Sequence, residues 1–329
     1  MRYRLLFIAV IFLLSVSCNR HEKKDYSDLP KELANLCMQI DDAPENPELY
    51  YQRFQYYYDK GQIDNALNDI LLAVKFDSLQ SKYYVGLSDV YFSLKQTDDA
   101  EEMLQKAISL DQNNNEAYLK LAELYFHLRM FEECNTTLDD ALKLQNHNPK
   151  AHLIRAFMLK DQGDTLGCIR MLQLAVDQDP KEIKAYLELG YIHQQKNDPL
   201  AITYYQNALA IDPKNEEILF NLALAMQDFG RVEEAKQYYN SILEFDADNI
   251  RALFNLGFVA LIYDKNYNEA VAYFTRVLEQ EPDYVEALTN RAIAFEELKK
   301  YGEAREDYNL ALKFNPNFQP AIDGLNRLR

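Results

Sequence analysis

Three asparagines recur inside apolar segments of this sequence, at Asn221, Asn255 and Asn290, with intervals of 34 and 35 residues. A side-chain amide both donates and accepts hydrogen bonds, so a row of amides can pair with the backbone of an extended peptide of any sequence. The alternative is that each amide bonds a neighbouring helix, because a buried amide must find partners in either case. The chemistry that this spacing offers is polypeptide recognition or internal packing.

Residue types that support catalysis or metal binding are scattered. The five histidines form no HExxH motif, no cysteine pair has the CxxC spacing, and neither a glycine-rich phosphate loop nor a G-x-S-x-G elbow occurs. Adjacent carboxylates such as Glu101 and Glu102 are typical of a solvated helix face. The sequence therefore predicts a protein that is not an enzyme and that needs no cofactor and no metal.

Composition and charge limit the classes of partner that this protein is expected to bind. Hydrophobic residues make up 48% of the 329 residues, with only nine glycines and ten prolines, which is typical of a globular helical chain. Aspartate and glutamate number 52 against 35 lysines and arginines, a net charge of −17. Such an acidic chain is not expected to bind nucleic acid or to adhere electrostatically to an anionic membrane.

The first residues predict export. Residues 1–17 place Arg2 and Arg4 before an apolar run that is too short to span a bilayer, which is the pattern of a signal peptide. The sequence LLSVSC that ends at Cys18 resembles a bacterial lipoprotein signal, although Ser15 stands where leucine is usual. We expect Cys18 to carry lipid and residues 18–28 to form a polar tether. Ordinary cleavage, leaving a soluble exported protein, is the alternative.

An internal repeat of about 34 residues organises the rest of the chain. Small residues mark it at Ala66, Ala100, Cys134, Cys168, Ala201, Ala235, Ala270 and Ala304. Apolar residues at spacings of three and four predict two helices in each repeat, and prolines such as Pro180 and Pro213 end the second helix. We predict a helix in residues 29–46, eight repeats, and a capping helix in residues 319–329. The repeats are 47–80, 81–114, 115–148, 149–182, 183–215, 216–249, 250–284 and 285–318.

This pattern resembles the tetratricopeptide repeat, W-x₂-L-G-x₂-Y followed by A-x₃-F and P. Tyrosines such as Tyr84 and Tyr118 stand in the opening aromatic position, and Leu189-Gly190 and Leu256-Gly257 keep the Leu-Gly pair. The resemblance implies an all-α, right-handed superhelix of antiparallel helix pairs. Cys134 and Cys168 occupy the small-residue position, so we interpret them as buried space-fillers rather than ligands or nucleophiles.

The resemblance also implies a concave groove, lined by the first helix of each repeat, that binds peptides. Its groove positions hold Tyr51, Phe157, Tyr191, Phe220, Phe254 and Phe258. Asn221, Asn255 and Asn290 share the sixth position of repeats six to eight, which is similar to the asparagine ladder of O-linked N-acetylglucosamine transferases. The lysine and asparagine pattern of the two-carboxylate clamp is missing, so a clamp for acidic C-termini is not expected.

Together these features predict a scaffold or adaptor anchored by lipid to a membrane of the bacterial envelope, with the outer membrane of a Gram-negative bacterium as the expected location. Its partners would be other envelope proteins or peptides held in the groove. Two alternatives stay open: tyrosine-rich grooves can stack on sugars, which would suit a peptidoglycan binder, and the array could associate with itself as a structural element.

Overall fold

The computed structural model describes residues 26–328, which form eighteen α-helices and, within that range, no β-strand. Residues 1–25 lie outside the described part, and with them lie the predicted signal peptide and Cys18. By compactness the chain divides into two units, Met1–Leu121 and Ala122–Arg329, and the division falls inside one helix. The helices are α1 (Lys31–Asp42), α2 (Pro47–Asp59), α3 (Ile63–Phe76), α4 (Ser81–Ser93), α5 (Thr97–Leu110), α6 (Asn115–His127), α7 (Phe131–Leu144), α8 (Pro149–Asp161), α9 (Thr165–Gln178), α10 (Ile183–Gln195), α11 (Leu200–Ile211), α12 (Glu216–Asp228), α13 (Val232–Phe245), α14 (Ile250–Ile262), α15 (Tyr267–Gln280), α16 (Val285–Glu297), α17 (Tyr301–Phe314) and α18 (Gln319–Arg327).

From α2 to α17 the helices form eight pairs, each with a first helix and a second helix. The small residues that mark the repeat in the sequence lie on the second helices and are at most 1% exposed. Their size lets the two helices of a pair approach closely, while larger side chains fill the space beside them. In the second unit each second helix from α9 onward also contacts the first helix that follows it, so the apolar core continues from pair to pair. The prediction of an all-α repeat fold is confirmed.

One residue with a left-handed backbone conformation closes the turn inside every pair. Three of these residues are glycines, and the others carry side chains: Gly61, Lys95, Arg129, Gly163, Asn197, Gly230, Lys265 and Lys299, with φ between 51° and 82°. Glycine adopts this conformation without strain, whereas other L-residues are disfavoured there. The reversal between paired helices thus requires the same backbone geometry eight times, although the sequence supplies glycine only three times.

The single helices at the two ends pack as the repeats do. Near the first end, Arg53 on α2 pairs with Asp69 on α3 through two bonds of 2.7 Å, and its Nη1 lies 3.4 Å from Sγ of Cys37 on α1. Near the other end, Arg291 on α16 pairs with Asp307 on α17. The capping helix α18 covers α17. The predicted extra helices at both ends are therefore present.

None of the helices in residues 26–328 is both long enough and apolar enough to cross a membrane.

Candidate peptide-binding surface

In the second unit the first helices of neighbouring pairs are joined by side-chain contacts, and together they form what we call the first-helix face, made of α8, α10, α12, α14 and α16. Lys160 on α8 lies 2.6 Å from Glu188 on α10. Gln194 on α10 donates to Asp228 on α12 at 2.6 Å. Each of these first helices also contacts the second helix of its own pair. The predicted groove residues of the second unit all belong to helices of this face.

The three predicted ladder asparagines lie on this face and are all partly exposed. Nδ2 of Asn255 donates to the carbonyl of Arg251 at 2.8 Å, one turn earlier in its own helix. Within residues 26–328, no hydrogen-bond partner is found for the side chains of Asn221 and Asn290. Two of the three amides therefore have no hydrogen bond within the described residues, and the third bonds within its own helix. Binding of a peptide by this row stays a prediction, as does the alternative of packing between helices.

The sixth position of the first helix also faces the preceding pair. Gly86 holds this position in α4, and a Cβ added there would meet the ring of Phe54 on α2 and the side chain of Ile70 on α3. Gly324 holds the matching position in α18, against the ring of Tyr308 on α17. An asparagine in this position therefore starts beside the previous repeat, which is the geometry that the packing interpretation requires.

The predicted groove aromatics of the second unit differ in their solvent exposure. Tyr191 is 49% exposed, and Nζ of Lys160 lies 5.4 Å from its ring centroid. Phe157 and Phe258 are half-buried. Phe220 is only 9% exposed.

Two neighbouring side chains account for the covered rings. The guanidinium carbon of Arg251 lies 3.6 Å from the centroid of Phe220, so this ring contacts a partner only if the arginine moves aside. Phe254 stacks on Tyr284, with centroids 5.1 Å apart and planes 9° apart. The face is therefore aromatic, but two of its rings already have partners.

Tyr51, the predicted groove residue of the first unit, lies in a cluster of tyrosines. Its ring centroid is 5.2 Å from that of Tyr83, and Nζ of Lys82 lies 5.0 Å from it. Burial raises the pKa of the Tyr51 hydroxyl, and the negative charges of Glu116 and Asp89 raise it further. This side chain is partly exposed in a negatively charged setting.

Arg251 and Lys160 are functional candidates that the sequence analysis did not name. Both place a positive charge over a groove aromatic, with the attraction that a cation has for the face of a ring. Arg251 occupies the second position of its repeat, which the tetratricopeptide pattern assigns to the groove. The sequence signal for Arg251 is therefore its repeat position, whereas its charge differs from the apolar character of the other predicted groove residues.

A second asparagine series in the sequence is structural. Asn46, Asn148, Asn215 and Asn249 are N-caps, and the side chain of each accepts a backbone N–H in the first turn of the following helix, at 3.0–3.2 Å. Such caps satisfy donors that the helix itself leaves unpaired. The intervals of 102, 67 and 34 residues are about three, two and one repeats, because each cap precedes a first helix. Periodic asparagines in this chain therefore serve two different positions.

Cys134 and Cys168, the predicted space-fillers, are free thiols in the core. Cys134 and Cys168 are fully buried, and burial raises the pKa of each thiol to about 11. Both are therefore neutral thiols at physiological pH, which suits space-filling. In the described range, 26–328, no three histidine, cysteine or acidic side chains are grouped so that they could hold a metal ion.

Family models match the chain along the second unit and across the unit boundary. The model described as the tetratricopeptide repeat protein 21 N-terminal ARM repeat matches residues 123–323, which is more than half of the chain, and a TPR repeat model matches residues 89–128. The chain belongs to the tetratricopeptide repeat family. This agrees with the eight helix pairs and with the resemblance found in the sequence.

Relatives of known description share only part of this tetratricopeptide repeat protein. The type IV pilus assembly protein PilF of Pseudomonas aeruginosa is 30% identical over 145 residues, which are 42% of this chain and 55% of PilF. The human protein O-mannosyl-transferase TMTC3 is 26% identical over 148 residues, which are 44% of this chain but 16% of TMTC3. The chain thus spans a sixth to about half of the length of these relatives.

Solved structures show the same fold. The C-terminal part of a TPR repeat-containing protein from Cytophaga hutchinsonii superposes with a TM-score of 0.63 at 18% identity, covering 75% of this chain and 99% of the other. PilF of Pseudomonas aeruginosa gives a TM-score of 0.52 at 19% identity, covering 63% and 94%. At these identities the likeness concerns the fold of the helix pairs.

Proposed function

We propose that this tetratricopeptide repeat protein is a scaffold of the bacterial cell envelope that holds an extended or helical segment of another protein against its first-helix face. The observation that supports the proposal is the row of partly exposed amides and aromatic rings along α8 to α16, with Tyr191 the most exposed of the predicted groove rings. Rings of this kind give affinity by burial, at about 25 cal/mol per Å² of apolar area. Amides that have no internal partner can fix the register of a peptide backbone.

The envelope location is part of the proposal. It rests on the signal-peptide pattern of residues 1–17 and on Cys18 in its lipoprotein-like setting. The partial likeness to PilF, a pilus assembly protein, is compatible with an envelope role. A Cys18→Ser variant is expected to leave the membrane fraction for the soluble fraction of cells, and its retention with the membrane would contradict lipid attachment.

The scaffold itself is tested by affinity capture of the full-length protein from envelope extracts. The test variant is the triple substitution Asn221→Ala, Asn255→Ala and Asn290→Ala. The second helices of the same three repeats supply a matched control in Asn240, Asn268 and Asn309, which are exposed, so the control also replaces three asparagines by alanine. Equal helicity and equal melting temperature are required of both variants before capture.

Proteins that bind the wild type and the control but not the test variant would support peptide reading by the asparagine row. Capture that is equal in all three would assign the asparagines to packing, and Tyr191→Ala would then test the aromatic residues. Binding to purified cell-wall fragments in the absence of any protein would favour the peptidoglycan alternative. A concentration-dependent increase in sedimentation coefficient would favour self-association.

A further inference from the structure

The first unit contains a cavity of about 840 Å³, which we call the N-terminal pocket. Its wall is formed by α1, α2 and α4, together with Glu116 in the first turn of α6. The volume is within the range of sites that hold a small molecule or a few side chains. None of the asparagines predicted to bind peptide lies in it.

The pocket combines aromatic rings with carboxylates. Tyr51, Tyr56 and Tyr58 contribute rings, while the acids are Glu32, Asp59, Asp89 and Glu116 against one lysine, Lys60. Asp89 is paired with Lys120 at 2.7 Å. Among residues 26–328 the other three carboxylates have no basic partner within 4 Å. Of these three, Glu116 acts on a ring of the pocket, since after burial its negative charge helps to raise the pKa of Tyr51.

The same unit shows how this chemistry binds a cation. The ammonium group of Lys82 lies 2.6 Å from Glu48 and 5.0 Å from the centroid of Tyr51. The guanidinium of Arg53 is held by Asp69 and lies 5.7 Å from the ring of Tyr50. Each of these two cations is therefore held by one carboxylate and at least one tyrosine ring, an arrangement that stabilises a positive charge from two sides.

The N-terminal pocket also combines carboxylates with tyrosine rings. Of its four carboxylates, Asp89 is paired with a lysine, and the other three have no basic partner within residues 26–328. The acidity is a property of this site and is not shared by every cavity of the chain. A smaller cavity of about 270 Å³ in the second unit has Lys160, Lys196 and Tyr191 in its wall, and none of its described wall residues is acidic. The charge of the two sites is thus opposite although the net charge of the chain is −17.

We propose that the N-terminal pocket binds a lysine or arginine side chain on an extended segment of the partner protein. This inference rests on the proposed scaffold function and adds a charge requirement in the first unit. Glu116 acts on Tyr51 in one part of the wall, and Tyr56 and Asp59, three residues apart on α2, form another part, with Glu32 on α1 also in the wall. The cation would lie beside one of these ring and carboxylate pairs, while amides in the wall, such as Gln52 and Gln55, remain available to a peptide backbone.

The test uses the full-length protein and fluorescent synthetic peptides that are identical except for lysine, glutamine or glutamate at alternating positions. The test variant is Glu32→Gln, Asp59→Asn and Glu116→Gln. The control is Glu102→Gln, Glu244→Gln and Glu279→Gln, which changes net charge by the same amount at exposed sites outside the pocket. Because Glu32, Asp59 and Glu116 form no ion pair within residues 26–328, their neutralisation is expected to leave helicity and melting temperature close to those of the wild type.

The lysine peptide is expected to bind the wild type, and its affinity for the test variant is expected to fall about tenfold, with the control variant close to wild type. Tyr56→Leu is expected to weaken binding about threefold without changing charge. Equal binding of the glutamine peptide, or equal losses in test and control variants, would overturn the proposal. Failure here together with successful capture on the first-helix face would leave the scaffold function standing.

Discussion

Substitution of Gly190 by alanine is expected to destabilise the second unit, although alanine is the better helix former. A Cβ at Gly190 would lie 2.5 Å from Cε1 of Tyr205 and 2.7 Å from its Cδ1. Carbon atoms in contact are separated by about 3.5–4.0 Å, so the ring has to move by about 1 Å. Tyr205 is 2% exposed, and its hydroxyl donates to Oε1 of Gln194 at 3.1 Å. The ring is therefore held from several sides and has little room to move.

The size of the effect follows from two opposed contributions. Inserting a methyl group into a packed core costs about 1–3 kcal/mol, whereas the higher helix propensity of alanine returns about 1 kcal/mol. We expect a net loss of about 1–2 kcal/mol in the free energy of unfolding of the region around α10 and α11. Gly302→Ala is the control, because nothing lies within 4 Å of that Cβ and the backbone is helical. The control is expected to be stabilising by up to about 1 kcal/mol.

Urea unfolding followed by circular dichroism gives the comparison of midpoints. Hydrogen exchange of the amides of α10 and α11 locates the change, because repeat arrays can unfold in parts. In a Tyr205→Leu background the same Gly190→Ala change is expected to be neutral or stabilising, since the ring that it meets is gone. A Gly190→Ala protein as stable as the Gly302→Ala protein, or no rescue by Tyr205→Leu, would refute the packing argument.

Three further predictions concern turns, a buried ion pair and pH. Lys95→Gly should raise, and Gly230→Ala should lower, the free energy of unfolding by about 1 kcal/mol, because both positions have a left-handed backbone; opposite shifts in urea midpoint check this. Asp307→Ala should cost about 3 kcal/mol by leaving Arg291 without its bidentate partner, seen as a lower melting temperature than that of a surface control, Glu306→Ala. Burial lowers the pKa of His152 from 6.5, so its contribution to stability is complete above pH 6.5 and is lost as pH falls below that value; His152→Gln should reduce the slope of the free energy of unfolding against pH below pH 6.5, and an unchanged slope would contradict the role given to His152.

The periodic spacing of small residues was sufficient to predict the helix pairs. Alanine or cysteine every 33 to 35 residues marks the points where two helices come closest, and these residues are buried in the structure. The extra helices at the ends followed from short apolar patterns outside the repeats. Turn geometry was less visible, because lysine or arginine occupies the left-handed position in four of the eight turns and gives no local sequence signal.

The sequence predicted which residues lie on the candidate surface, but not which other side chains contact them. The repeat pattern places Phe220 and Phe254 in the groove positions, yet the structure covers them with Arg251 and Tyr284. Whether a ring is exposed depends on the side chain that the next repeat places over it, and that residue is about 30 positions away in the sequence. The N-terminal pocket was missed for the same reason, since its acids come from four separate helices.

The sequence by itself determined the architecture of this protein, because packing of repeated helix pairs depends mainly on residue size and on period, and both can be read along the chain. It also determined the residues that can occupy the first-helix face. Only the tertiary structure decided which of those side chains are free, which cations lie over which rings, and where unpaired carboxylates from α1, α2 and α6 meet tyrosines. These properties arise between helices that are distant in sequence, where no local pattern specifies the contact.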